Sequence, residues 1–223
     1  SECNFENEEQ GRTTVQIKTE QEDIYAVSSS IFFAFAAAGR AALPDGLMPF
    51  APAAAAAAWI CGLPMSALLG CLAGVISCLA WDTVLSLTVF SFAAWGFSRL
   101  SGRVVRRQVL LAVLLGELVA LFAMRSVSPL DGLLGCLSAA CALLLTGVYA
   151  GAVETAKSLR LRKLLSEEEV ISLCIAAGTL LLGMVEAEVY GLSLPCILGG
   201  VMTMMLAVTG GAGAGGSTGI ALG

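Results

Sequence analysis

The chain of 223 residues is 57% hydrophobic and only 13% charged, and its mean hydropathy is +0.87. Soluble domains carry about 25% charged residues, so this composition excludes a soluble enzyme and indicates an integral membrane protein. The net charge of −5 excludes a protein that binds nucleic acid through a basic surface.

The acidic charge lies in residues 1–23, which hold seven acidic and two basic residues. This segment has no apolar core, so it is not a signal peptide. We predict that it is an acidic cytoplasmic tail, followed by a transmembrane helical domain over residues 24–223. The sequence begins at Ser1 without a Met and stops at Gly223 within an apolar run. We therefore expect a C-terminally truncated piece of a longer protein.

Apolar stretches of roughly 17–25 residues are long enough to cross a bilayer as helices. The sequence predicts eight such spans and the start of a ninth near residue 211. Short loops join them, so the predicted fold is an all-α polytopic bundle. Pro49, Pro52 and Pro64 interrupt the stretch 47–98, which could also be divided differently. The predicted spans are residues 24–42, 47–62, 65–80, 82–98, 109–124, 130–153, 168–187 and 193–208.

Two basic loops set the predicted orientation, because short basic loops stay in the cytoplasm. They lie two spans apart and therefore on the same side, which places the N-terminus in the cytoplasm as well. The segment 156–165 is either an amphipathic helix on the membrane surface or a solvated loop, and the sequence leaves both open. The first loop holds Arg99, Arg103, Arg106 and Arg107, and the second holds Lys157, Arg160, Arg162 and Lys163.

The start of the seventh span is marked by Ser166 and Glu169. A serine followed three residues later by a glutamate is typical of a capping box. In this motif each side chain accepts a hydrogen bond from the backbone N–H of the other residue. The acidic residues there also suit the positive end of the helix dipole.

Glycines four residues apart predict surfaces where membrane helices approach closely. We interpret these surfaces as packing within the chain more readily than as an oligomer interface, and the second use stays open. The alanine-rich residues 51–58 offer equally little side-chain bulk. The glycines are Gly70 and Gly74, Gly147 and Gly151, and Gly211, Gly215, Gly219 and Gly223.

Glu117 is the candidate functional residue, because it lies inside the fifth predicted span, near the expected centre of the bilayer. A charged side chain there costs ~2.5–3.5 kcal/mol on insertion scales. It is either a proton or cation relay, or a neutral carboxylic acid in a structural hydrogen bond. Two other acids are interpreted as structural. Glu154 can pair with Lys157 at the cytoplasmic end, and Asp82 is an interfacial residue.

No catalytic or metal-binding residue is predicted. The chain has no His, and seven of its eight Cys lie in apolar runs without a CxxC pair. Neither a zinc site nor a disulfide framework is therefore expected. Residues 211–216 fit the pattern G-x-G-x-x-G, but they follow an apolar helix and not a strand, which excludes a nucleotide site.

Three stretches carry a family resemblance. They are Gly39-Arg40 with LPDGLMPFAPA at 43–53, KLLSEEEVISLCIAAGTLLLGM at 163–184, and TGGAGAGGSTGIALG at 209–223. Together they resemble the N-terminal membrane region of the stage II sporulation protein E family of endospore-forming bacteria. The resemblance covers residues 24–223, and the acidic tail has no clear counterpart in it.

The resemblance implies that the chain is the membrane anchor of a PP2C-type protein serine/threonine phosphatase whose catalytic domain lies outside it. Family members use manganese or magnesium in that domain, so no cofactor is expected in this chain. The resemblance also implies a multi-pass protein of the bacterial cell membrane, at the sporulation septum. The expected partners are the lipid bilayer, other copies of the chain, the cell-division protein FtsZ and other septal membrane proteins.

Two other functions stay open at this point. A small bundle with an intramembrane Glu117 could be a small-molecule transporter subunit, which needs a water-accessible polar cavity around that residue. A membrane anchor needs a dry core instead. A bundle that only scaffolds other membrane proteins would have neither a cavity nor a fused enzyme.

Overall fold

Helices make up nearly all of the described chain. The computed structural model describes residues 28–43, 47–63, 65–102, 105–124, 129–158, 166–185, 188–189, 192–193, 195–201, 203–204 and 216. In these ranges the only strands are β1 (Glu188–Val189) and β2 (Leu192–Ser193), which pair antiparallel. The all-α class predicted from the sequence is confirmed. The helices are α1 (residues 28–40), α2 (Phe50–Ile60), α3 (Met65–Ser77), α4 (Trp81–Ser101), α5 (Arg106–Met124), α6 (Pro129–Ser158), α7 (Glu167–Gly183) and α8 (residues 195–201).

The alanine-rich α2 lies at the centre of the described bundle. Pro49 is its N-cap, and Pro52 falls in the first turn, where a missing N–H breaks no helical hydrogen bond. Every residue from Phe50 to Ala58 is buried, and the helix contacts α3, α4, α5 and α6. Because its side chains are mostly methyl groups, four helices can approach its backbone at once.

The N-terminal helix α1 packs on α3 and α7 through direct backbone contact. A Cβ added at Gly70 or Gly74 of α3 would overlap carbonyl oxygens of α1. Gly183, the last residue of α7, has the same relation to the Ala37 carbonyl oxygen. Gly70 and Gly74 therefore lie at a helix–helix contact within this chain.

Helices α4, α5 and α6 run antiparallel, each following the previous one through a short connection. Gly102 ends α4 in the left-handed conformation, with φ of 65°, which glycine adopts without steric cost. Leu87, Phe90 and Val113 are buried where these helices meet. The chain order thus places the end of α4, the start of α5 and the end of α6 at one end of the bundle.

Among the residues that the structure describes, two helices are long and apolar enough to cross a membrane, Trp81–Ser101 and Leu130–Ser158. The predicted spans 47–62 and 65–80 correspond to α2 and α3, with 11 and 13 residues. At 1.5 Å per residue these helices are roughly 16 and 20 Å long, less than a bilayer core of about 30 Å. The prediction of eight to nine spans is therefore not confirmed, because hydropathy does not distinguish a helix buried in protein from one facing lipid.

The predicted capping box at the start of α7 is confirmed. The Ser166 side chain accepts a hydrogen bond from the Glu169 backbone N–H at 3.3 Å, and the Glu169 carboxylate accepts one from the Ser166 N–H at 2.8 Å. The first turn of a helix has no internal acceptors for its backbone N–H groups. The two side chains supply acceptors for two of them.

Several predictions fall outside the described residues. These are the acidic tail 1–23, the ninth span near 211, and the segment 159–165. The same holds for Arg103, Arg160, Arg162 and Lys163, and for the glycines Gly211, Gly215, Gly219 and Gly223.

The α1–α3 contact gives a first test. Gly74→Ala should lower the melting temperature in detergent, because the new methyl group meets the Ala36 carbonyl oxygen and the two backbones must separate. Overpacking of this kind costs about 1–3 kcal/mol, and each kcal/mol lowers the melting temperature of a domain this size by about 2–4 °C. The matched control is Gly96→Ala in α4, where a Cβ meets nothing within 4 Å. Equal melting temperatures for the two variants would contradict the proposed backbone contact.

Candidate functional site

The carboxyl group of Glu117 is held by hydroxyl groups from two other helices. The Ser86 Oγ of α4 donates a hydrogen bond to Glu117 Oε1 at 2.8 Å. The Ser138 Oγ of α6 donates one to Glu117 Oε2 at 3.1 Å. Both serines are buried, so one side chain of α5 connects α4 and α6 through two hydrogen bonds.

Glycines beside this site allow the hydroxyl groups to reach the carboxyl group. A Cβ at Gly116 would lie 2.6 Å from the Ser86 carbonyl oxygen and 3.2 Å from its Oγ. On α6, Gly135 accommodates the Leu121 side chain one turn before Ser138. Small residues thus lie next to the polar ones in the sequence. They let the helices pack closely enough for the hydroxyl groups to come within hydrogen-bond distance of the carboxyl group.

Glu117 lies closer to one end of the bundle than the sequence indicated. Helix α5 begins at Arg106, three residues before the predicted start, and ends at Met124. At 1.5 Å per residue, Glu117 is roughly 17 Å from the start and roughly 11 Å from the end. It shares this end with Asp82 in the first turn of α4 and Asp131 in the first turn of α6.

A small polar cavity adjoins the carboxyl group. Its volume is about 20 Å³, which is room for about one water molecule. No organic substrate fits a space of this size. Asp82, which the sequence indicated only as interfacial, lines the same cavity. The lining residues are Met48, Asp82, Thr83, Ser86, Glu117, Ala120, Leu121, Gly135 and Ser138.

In the described part of the chain, no group of three or more Cys, Asp or Glu side chains is placed to hold a metal ion. The residues that sequence reasoning missed are Ser86, Ser138 and Thr83. A weak signal existed in the i, i+3 spacing of Thr83 and Ser86, which places two hydroxyl groups on one face of α4.

Four basic residues of α4, α5 and α6, namely Arg99, Arg106, Arg107 and Lys157, lie at the opposite end, and three of them have a local contact. Arg99 lies over the Trp95 ring, with 5.6 Å between the guanidinium carbon and the ring centroid. The Arg106 guanidinium lies 3.1 Å from where a Cβ at Gly147 would be. The Lys157 Nζ donates a hydrogen bond to the Cys61 carbonyl oxygen at 2.6 Å, and Arg107 is exposed.

The end of α2 is thus capped by α6. Burial raises the pKa of the Cys61 thiol above its usual value, Glu154 raises that pKa further, and Lys157 lowers it.

The two glycines of the predicted pair on α6 contact different helices. Gly147 lies beside Arg106 of α5, and Gly151 lies beside Ser172 of α7. A Cβ at Gly151 would be 3.4 Å from the Ser172 Oγ, which is an ordinary van der Waals distance. Neither position shows the backbone overlap found at Gly70 and Gly74.

Comparison with protein families gives one match over almost the whole chain. The family model described as SpoIIE, N-terminal domain, matches residues 2–223. The resemblance noted in the sequence is thereby confirmed, and the match also includes the acidic tail, for which the sequence gave no clear counterpart. Comparison with curated proteins and with solved structures finds no match to either.

The hydrogen bonds of Glu117 predict different results for two substitutions. Glu117→Gln should change the free energy of unfolding by less than about 1 kcal/mol, because an amide still accepts from one serine and donates to the other. Glu117→Ala should lower it by about 1–3 kcal/mol, because two buried hydroxyl groups lose their acceptor. Chemical unfolding in mixed micelles measures both values. A Gln variant that folds normally but loses function would instead support a proton or cation relay.

Gly116 gives a separate test of the helix contact. Gly116→Ala should destabilise the protein by about 1–3 kcal/mol, because its methyl group pushes α4 away where Ser86 bonds Glu117. Gly132→Ala in α6 is the control, since a Cβ there meets nothing within 4 Å. We expect the control to match or exceed the wild-type melting temperature, because alanine favours helix over glycine. A control that loses as much stability as Gly116→Ala would contradict the contact.

Proposed function

Because the chain belongs to the SpoIIE N-terminal domain family, we propose that it is the membrane-anchoring and septum-targeting domain of a sporulation phosphatase. The family match covers residues 2–223, and the N-terminal domain contains no phosphatase domain. The parent enzyme would be a PP2C-type serine/threonine phosphatase with its manganese or magnesium in the catalytic domain, and the anchor itself would need no cofactor.

The observation that carries the proposal is the combination of this match with two helices, Trp81–Ser101 and Leu130–Ser158, that are long and apolar enough to span a bilayer. Their outward faces expose large apolar side chains, including Phe92 at 76% and Leu144 at 74%. Such side chains suit contact with lipid and not with water.

The charge distribution supports a defined orientation. Arg99, Arg106, Arg107 and Lys157 lie towards one end of α4, α5 and α6, whereas Asp82 and Asp131 lie towards the other. Short basic connections stay in the cytoplasm, so we propose that the basic end faces the cytoplasm. If α4 and α6 both cross the membrane, the antiparallel α5 between them must cross as well. We also propose that the whole domain has a larger number of membrane spans, up to eight or nine.

The expected partners follow from the family. We propose that the domain associates with other copies of itself, with the cell-division protein FtsZ and with other septal membrane proteins. The alternative of a transporter subunit has less support, because the cavity beside Glu117 holds about 20 Å³, too little for a transported molecule other than water or a bare ion.

The experiment is a fluorescent fusion of the chain in sporulating cells, with two matched variants. The wild type should stay with membranes washed in alkaline carbonate and gather at the septum. Leu144→Arg should reduce the membrane-inserted protein several-fold, because arginine near the middle of a span costs ~2.5–3.5 kcal/mol. Leu100→Arg, at the exposed end of α4 next to Arg99, should behave like the wild type.

Three results would speak against the proposal. Release of the wild type by carbonate would refute membrane anchoring. A wild type that stays in membranes but spreads evenly over the cell would refute septum targeting. Equal behaviour of the two arginine variants would show that Leu144 does not face lipid.

A further inference from the structure

An apolar cavity lies between α1, α2, α6 and α7. Its volume is about 260 Å³, larger than the roughly 150 Å³ that suffices for benzene in an engineered protein cavity. Seven of its thirteen lining residues are alanines, whose small side chains leave space between the helices. The alanines are Ala34, Ala38, Ala54, Ala57, Ala152, Ala156 and Ala176.

The wall offers nothing that would hold water. Its two hydroxyl groups belong to Tyr149 and Thr179, which hydrogen-bond to each other at 2.7 Å. The Thr179 hydroxyl also donates to the Ile175 carbonyl oxygen. Water enters cavities that provide two to four polar partners, so an apolar molecule is the suitable occupant.

The shape of the cavity favours an extended occupant. Its lining runs from Tyr149 to Ala156 on α6 and from Leu173 to Leu180 on α7. Seven residues of helix correspond to roughly 10 Å along the axis, so the space is a slot parallel to the helices. An acyl chain of a lipid has this form and this direction in a bilayer.

The charge at the end of the slot favours an anionic head group. Lys157 follows the lining residue Ala156 directly and is exposed. Its ammonium group makes one hydrogen bond, to Cys61, and has three donors. Basic residues at the cytoplasmic surface attract anionic lipids.

We propose that this cavity binds one acyl chain of an anionic phospholipid, whose phosphate lies beside Lys157. The proposal rests on the membrane location proposed above, because the bilayer supplies the ligand. The lipid would fill a space that the alanines leave open between α1, α2, α6 and α7. It would also connect α1 and α7 to the centre of the bundle.

The test measures the melting temperature of the whole chain in detergent micelles with and without added phospholipid. Phosphatidylglycerol at about one hundred times its dissociation constant should raise the wild-type melting temperature by about 5–10 °C. Phosphatidylcholine should raise it less. Ala152→Leu fills the slot from α6 and should abolish the lipid-dependent rise. Ala140→Leu is the matched control, since Ala140 is exposed on α6, and it should keep the rise.

Ala176→Leu, on the opposite wall, provides a second cavity-filling variant should Ala152→Leu fail to elute as a folded protein from a sizing column. A rise that persists in a folded cavity-filling variant would overturn the proposal, as would an equal rise of the wild type with both lipids. A chain that shows the lipid effect in micelles but is released from cell membranes by carbonate would refute the proposed anchoring alone.

Discussion

Contact between helix backbones, at residues with almost no side chain, is the constraint on which the described structure depends. The six consecutive alanines of α2 are buried on all sides, and Gly74, Gly116 and Gly183 meet carbonyl oxygens of neighbouring helices. In lipid the hydrophobic effect contributes little to helix association, so van der Waals contacts and hydrogen bonds must hold the helices together. Small residues make both possible, because two helices can then approach until their backbones touch and side-chain donors of one helix reach acceptors on the other.

The hydrogen bonds of the Glu117 site depend on this close contact between helix backbones. A carboxyl group in a protein interior is stable only when it is hydrogen-bonded, and its two serine partners reach it because Gly116 lets α4 approach. The site fixes the rotation of three helices relative to one another, since only one face of each presents the polar group. Polar pairs in membrane proteins commonly contribute this kind of specificity together with a modest stabilisation.

The sequence predicts local features of this molecule better than distant ones. The capping box depends on Ser166 and Glu169, three residues apart, and the helical class depends on long apolar stretches, so both follow from the order of residues. The partners of Glu117 lie 31 and 21 residues away, and no local pattern selects them among the other serines and threonines. The predicted number of spans is not confirmed for a related reason. Alanine and leucine are both apolar, so hydropathy alone does not tell whether a helix faces protein or lipid, and the interior position of α2 appears only when its neighbours are in place.

The position of α2 also has a consequence for biosynthesis. Cys61, at the end of this helix, is held by Lys157, which lies 96 residues later in the chain. At translation rates of about 5–20 residues per second, the ribosome adds those residues in roughly 5–20 s. Until α6 is made, α2 lacks its contact with that helix, and with 11 residues it is shorter than a bilayer core. If the chain is inserted in the membrane as proposed, the apolar face of α2 that meets α6 must be sheltered until α6 emerges, so correct packing would depend on the order and speed of synthesis.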